Sequence, residues 1–134
     1  MNGYSFFAPT KVLFGAGKLG ELGAQKLPGT KALIVTTGGN SVKRFGYLGR
    51  LEAELDRAGV AHELFDRIEP NPLRETVNAG GWMARTHGCD FVLALGGGSV
   101  MDGSKGICAV AANPHTDAEG NECPGDIWDF VNGG

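Results

Sequence analysis

The sequence predicts an α/β fold, an open parallel sheet with helices on both faces. Three observations predict it. Apolar runs of strand length alternate with stretches whose apolar residues recur at helical spacing. Two of the runs, residues 32–36 (ALIVT) and 91–95 (FVLAL), are continuously apolar, as strands buried on both faces are. Both run into glycines, Gly38-Gly39 after the first and Gly96-Gly97-Gly98 after the second. A strand–helix–strand order of this kind makes βαβ units, which pair their strands in parallel.

Taken in order, residues 11–14 read as a short strand closed by Gly15, and residues 19–27 as a helix stopped by Pro28-Gly29. The strand at 32–36 is broken by Gly38-Gly39-Asn40. Between 42 and 58, Phe45, Leu48, Leu51, Leu55 and Ala58 are spaced by three and four, which is one face of a helix that Gly59 ends. Residues 61–65 read as the third strand. Glu69-Pro70-Asn71-Pro72 is a turn, because each proline fixes its own φ and restricts the residue before it. Residues 73–87 predict a helix weakened at Gly80-Gly81, 91–95 the most apolar strand, and 99–112 another helix. From 113 to 134 the chain is mostly polar loop with a short helix over 126–130, and it stops at Gly133-Gly134 as if interrupted.

Residues 1–134 suit one domain, long enough to bury roughly two thirds of its unfolded surface. A content of 42% hydrophobic and 20% charged residues excludes a disordered chain. The 23 glycines are more than twice the usual share of about 7%, which implies tight turns or close approaches of backbone to a ligand. The net charge is −3 with Lys and Arg scattered, so no nucleic-acid footprint is present. No apolar run nears the roughly 18 residues that span a bilayer, which speaks against a membrane partner. Met1-Asn2-Gly3-Tyr4 lacks the basic-then-apolar pattern of a signal peptide. Cys89, Cys108 and Cys123 are odd in number and form no Cys-x-x-Cys pair, as reduced thiols of a cytoplasmic protein would.

Two glycine loops compete for a phosphate. Gly15-Ala16-Gly17-Lys18-Leu19-Gly20 fits G-x-G-x-x-G and follows a strand, but the strand is short and no acid follows about 20 residues later to hold a ribose. A plain strand–helix turn explains it as well. Gly96-Gly97-Gly98-Ser99 ends the most apolar strand, at the edge where open α/β sheets bind ligands. Ser99 is suited to cap the following helix, with Asp102 three residues on in the manner of a capping box. The free N–H groups of that helix start can bind an anion. Capping alone needs one such residue and one glycine, whereas each extra glycine costs about 0.5–1 kcal/mol of conformational freedom. Asp102 has two readings: it caps the helix, or it reaches a ribose, nicotinamide or substrate hydroxyl.

The run from Gly96 through Gly97-Gly98-Ser99 and Asp102 to Lys105 resembles the GGGS-x-x-D-x-x-K signature of iron-containing alcohol dehydrogenases. Glu69-Pro70-Asn71-Pro72 resembles that family's Pro-Asn-Pro loop, and Pro9-Thr10-Lys11-Val12-Leu13-Phe14-Gly15-Ala16-Gly17 its opening strand and turn. The three matches stand in family order and span nearly the whole chain. The resemblance is to butanol-dehydrogenase-like members, and it implies the N-terminal nucleotide-binding domain, a dehydroquinate-synthase-like, Rossmann-type unit.

The resemblance implies that NADP or NAD binds with its pyrophosphate on Gly97, Gly98 and Ser99, with Asp102 nearby and Asn71 lining the site. The loop Thr37 to Ser41 would meet the adenosine ribose, through Gly38, Gly39 and Ser41. Members with a Gly-Gly-x-Ser loop tend to use NADP. The residues agree, since that loop carries no acid to repel a 2′-phosphate and Lys43 and Arg44 are near, although an ordinary solvated helix start also explains those two. The family's substrate is a small alcohol or aldehyde, bound to divalent iron or zinc on a helical C-terminal domain. That domain is expected to be absent here, because His62, His87 and His115 are widely separated and lack ligand spacing, and His115, Asp117, Glu119 and Cys123 read as a polar surface loop. No catalytic residue is therefore assigned, and this chain alone is expected to be inactive. Without a second domain the exposed apolar surface predicts self-association as a homo-oligomer. Two alternatives stay open: the glycerol dehydrogenase and dehydroquinate synthase branch, from which Ser99 departs because glycerol dehydrogenases resemble GGGK there, and a non-catalytic nucleotide-binding fragment.

Overall fold

The centre of the molecule is strand β1, Lys31–Thr37, whose five residues from Ala32 to Thr36 are buried. Side chains alternate across a strand, and here the alternation feeds two cores. Leu33 and Val35 join Phe65, Ile68, Val77, Ala84, Val100, Ile107 and Val110 on one face. Ala32 and Ile34 join Leu48, Leu51, Leu55 and Val60 on the other. A strand buried on both faces takes apolar residues, or a polar one only where its hydrogen bond is satisfied, which is why this segment reads ALIVT with the Thr36 hydroxyl bonded to a backbone carbonyl. A computed structural model describes residue 3 and residues 5–131. The expectations for the first residues of the chain and for its end at Gly133-Gly134 concern Met1, Asn2, Tyr4 and residues 132–134, which lie outside the described residues.

The sheet has the order β2-β1-β3, with β2 over Ala61–Ile68 and β3 over Phe91–Ala94. Both neighbours run parallel to β1, from Lys31 opposite Ala61 on one side and Ala32 opposite Phe91 on the other. The predicted open parallel sheet with helices on both faces is thus observed. The sequence marks 91–95 as the best-buried strand; the structure gives that place to β1. β3 is half-buried, because it sits at the edge of the described sheet while β1 has a partner on each side.

One irregularity interrupts the β1–β2 ladder. Val35 pairs with Phe65 and Thr37 with Ile68, so Asp66 and Arg67 stand opposite Thr36 alone. The bulge puts Ile68 on the same face as Phe65, where both are buried, and re-aims the residues between them.

Four helices follow the strands: α1 over Ser41–Arg44, α2 over Tyr47–Arg57, α3 over Arg74–Thr86 and α4 over Gly98–Ala112. The single helix predicted over 42–58 is two. Gly46 takes φ 70°, a left-handed conformation that stops α1 and starts α2 in a new direction. Phe45, predicted to face the core, is left 64% exposed at the break, whereas Leu48, Leu51 and Leu55 are buried as the spacing requires. Burying each of those leucines stabilises the fold by about 1.5–3 kcal/mol. α3 and α4 pack side by side through Gly80 and Gly81. A Cβ there would stand 2.5 Å from Ile107 and Val110 respectively, so the glycines that weaken α3 as a helix let α4 close on it.

The amino-terminal expectations change more. Residues 11–14 pair with no strand among the described residues, and Val12 and Phe14 are exposed. The helix predicted over 19–27 is a 3-10 helix, Lys18–Ala24. It docks tightly on α2: the Gly23 N–H donates to Glu54 Oε2 at 2.9 Å, and the Arg57 guanidinium donates to the Gly20 carbonyl at 3.0 Å. After α4 a small antiparallel hairpin, β4 (His115–Thr116) with β5 (Glu122–Cys123), occupies part of the predicted polar loop, and the short helix at its end is a 3-10 turn, Ile127–Phe130. Asp126 anchors that turn, accepting from the Arg74 guanidinium and the Asn78 amide of α3.

Candidate functional site

Because β1, β2 and β3 run parallel, the loops that leave their carboxyl ends share one edge of the sheet. Those loops are Gly38-Gly39-Asn40, Glu69-Pro70-Asn71-Pro72 and Leu95-Gly96-Gly97. The three segments singled out in the sequence therefore meet at the edge where open α/β sheets bind ligands. Their placement is well held. The buried Thr36 hydroxyl donates to the Leu95 carbonyl at 2.8 Å, and the Leu95 N–H donates to the Val35 carbonyl at 2.9 Å, which ties the start of the glycine loop to β1. Pro72 rests on α4: a Cβ at Gly103 would come within 3.4 Å of its ring and 2.9 Å of Ile68. Asn71, exposed between the two prolines, has φ 55°, the one positive φ at a non-glycine among the described residues. Asn is the side-chain-bearing type that best tolerates this region.

The glycine loop divides into two kinds of glycine. At Gly96 a Cβ would stand 2.6 Å from Val100, so packing requires this one. At Gly97 and Gly98 a Cβ would meet nothing within 4 Å. Neither has a positive φ; Gly97 is extended, at φ −86° and ψ −163°. Neither packing against the described residues nor backbone conformation accounts for them, and both face open space among those residues at the start of a 15-residue helix. The first helical bond of α4 runs from the Met101 N–H to the Gly97 carbonyl at 3.1 Å. The N–H groups of Gly98, Ser99 and Val100 thus precede the ladder, beside the positive end of the helix dipole.

The capping box does not form. The N-cap is Gly97, without a side-chain cap, and Ser99 lies inside the first turn. Asp102 is exposed and accepts from Lys105 at 3.3 Å. Gly15-Ala16-Gly17 differs again. Gly15 and Gly17 have φ 142° and 77°, so backbone conformation explains them, and the element that follows is the short 3-10 helix. These angles are what a plain strand–helix turn requires of its glycines.

The sequence reading found no acid near the first loop; the structure supplies one. Asp66, in the bulge of β2, lies beside Gly38, whose Cβ would come 3.2 Å from the Asp66 carbonyl oxygen. Its carboxylate accepts from Lys43 Nζ of α1 at 2.5 Å, and that ammonium holds the carboxyl below its usual range. Neither the stretch after the Gly15 loop nor the loop from Thr37 to Ser41 contains this acid, because Asp66 comes from β2, about 25 residues further along the chain. Ser41 is exposed at the start of α1.

The three histidines face single carboxylates: His62 lies 3.9 Å from Asp56, His87 3.5 Å from Glu63 and His115 2.6 Å from Asp129. Among the described residues no three His, Cys, Asp or Glu side chains converge on a point that could hold a metal ion. These residues do not fit iron or zinc. A cavity of about 410 Å³ opens near the amino end of β3, lined by Cys89, Asp90, Phe91 and Cys108 among others. It lies at the opposite end of β3 from the glycine loop. No described helix is long and apolar enough to cross a membrane.

Comparison with known proteins shows the family and the fold. The family described as iron-containing alcohol dehydrogenase matches residues 9–131. NADH-dependent butanol dehydrogenase A of Clostridium acetobutylicum is 39% identical over 132 residues, which is 98% of this chain and 31% of that protein. The NADPH-dependent aldehyde reductase of Escherichia coli is 40% identical over 114 residues, 85% of this chain and 29% of the relative. Among solved structures, an archaeal halo-thermophilic alcohol dehydrogenase from a Red Sea brine pool superposes with a TM-score of 0.82 at 37% identity, covering 97% of this chain and 31% of its own. The chain thus spans about a third of the length of the relatives it matches. Along nearly all of its own length, it belongs to the iron-containing alcohol dehydrogenase family.

Proposed function

We propose that the carboxyl edge of this sheet binds a nicotinamide dinucleotide, NADP or NAD, for an oxidoreductase acting on a small alcohol or aldehyde. The observation that carries the reading is the pair Gly97 and Gly98, which have no reason among the described residues to lack a side chain and which open onto the N–H groups of α4. A pyrophosphate placed there receives hydrogen bonds from the N–H groups of Gly98 and Ser99 and the favourable end of the helix dipole. Asn71 lines the middle of the site, Gly38, Gly39 and Ser41 receive the adenosine ribose, and Asp102 stands one turn into α4, facing solvent. When bound, the nicotinamide accepts or donates the hydride; the residues described here bind and orient it. The metal of the family is held, in this reading, by residues other than these. Relatives named for NADH-dependent and for NADPH-dependent activity both support a nicotinamide cofactor. The three free thiols suit the reducing cytoplasm we propose for it.

Calorimetric titration of the 134-residue chain with NADH and NADPH tests this, with Ser99→Tyr as a blocked loop. The expected result is saturable binding that the substitution abolishes. Binding that survives Ser99→Tyr moves the pyrophosphate away from α4, and absence of any binding removes the independent site.

A further inference from the structure

We propose that Asp66, steered by Lys43, is the residue by which this chain distinguishes the two cofactors, and that it favours the unphosphorylated ribose of NAD(H) over NADP(H). The inference rests on the reading above, which places the adenosine end of the cofactor at the loop after β1. Three observations carry it. The ladder irregularity of β2 falls at Asp66 and Arg67, and a bulge beside a ligand edge commonly re-aims a side chain. The Asp66 backbone lies against Gly38, at the foot of that loop. The Lys43–Asp66 ion pair spans from α1 back to β2, with the two side chains 48% and 34% exposed, so both groups are open to a ligand.

Charge and hydrogen-bonding capacity set the preference. A ribose with free hydroxyls offers two O–H donors, and a carboxylate is an acceptor with room for more than one. Such a ribose can donate to Asp66 while Lys43 stays paired. A 2′-phosphate brings about −1.5 to −2 charges to the same place. It meets the Asp66 carboxylate as a like charge, and of the two cations of α1, Lys43 and Arg44, the first is already engaged. Arg67 is turned away, its guanidinium 5.6 Å from the centre of the Phe65 ring, on the face opposite α1. Selection here therefore works by repulsion of the wrong ligand as much as by attraction of the right one.

The test is titration of the chain, Asp66→Asn, Lys43→Met and Gly98→Val with NADH and NADPH. The wild-type chain is expected to bind NADH about tenfold more tightly. Asp66→Asn raises NADPH affinity about tenfold and frees Lys43 for the phosphate, with a circular dichroism spectrum like the parent's because the pair is half-exposed. Lys43→Met leaves Asp66 without its counter-charge and widens the preference for NADH. Equal affinities in the wild type, or a ratio that neither substitution moves while Gly98→Val still abolishes binding, overturns the assignment of Asp66 and leaves the glycine edge standing. Binding indifferent to Gly98→Val, or no binding of either cofactor, overturns the edge reading and the ribose assignment with it.

Discussion

Two pairs of adjacent glycines, Gly80-Gly81 in α3 and Gly97-Gly98 at the start of α4, look alike in the sequence and do opposite things. The first pair is filled from outside: Ile107 and Val110 of α4 occupy the volume where its Cβ atoms would be. The second opens onto empty space. One pair is thus explained by a neighbour that needs its volume, and the other, in the function proposed above, by a ligand that does. The glycines at 15 and 17 are a third case, kept for backbone angles that side chains resist.

The sharpest way to break this comparison is Gly98→Val. The branched side chain should cut cofactor affinity by at least about 100-fold, near 2.8 kcal/mol, and leave the thermal midpoint close to the parent's. A matching fall in melting temperature would mean that Gly98 serves packing after all. Next in size is Gly81→Val, which inserts atoms where Val110 already sits and should destabilise by about 1–3 kcal/mol, measured by urea unfolding. A stability loss of this kind with intact cofactor affinity keeps the two pairs distinct. Gly17→Ala should cost about 1 kcal/mol through its positive φ, with no effect on binding; lost affinity would return the pyrophosphate to the first loop.

The smallest expected effect concerns acid stability. Asp90 accepts from the N–H groups of Thr30 and Lys31 at 2.8 Å each and from the Thr30 hydroxyl at 2.9 Å, tying β3 to the start of β1. Those donors hold its carboxyl below the ordinary 3.8. A depressed folded-state value contributes stability that is fully present above 3.8 and lost as pH falls below it. Asp90→Asn should therefore flatten the acid limb of the stability profile below that pH. An unchanged limb would show that Asp90 stays equally bonded when protonated.

Most of the fold was legible because periodicity and glycine placement are local signals. ALIVT needed no partner to be read as a buried strand, and the spacing of Leu48, Leu51 and Leu55 gave the buried face of α2. The errors came where the deciding contact is distant in sequence. Nothing near Lys18 announces that this segment docks on Glu54 and Arg57, and nothing near Phe91 says that its strand lies at an edge. The site divides the same way. The glycine run and the Pro-Asn-Pro turn were visible as motifs, whereas Asp66 becomes a site candidate only when β2 is laid beside β1 and the bulge is seen. Ser99 and Asp102 had the spacing of a capping box, but the helix begins one residue earlier, at Gly98.

The turn at Asn71 has a thermodynamic consequence. Its backbone is confined by a proline on each side, and Pro72 is wedged against α4 at Gly103. A loop so restrained has few conformations left to surrender when a ligand arrives, so its ordering entropy is spent during folding and not during association. Recognition at this point should therefore resemble the closing of a contact on a rigid wall, with little change in the mobility of residues 70–72 between the free and occupied states.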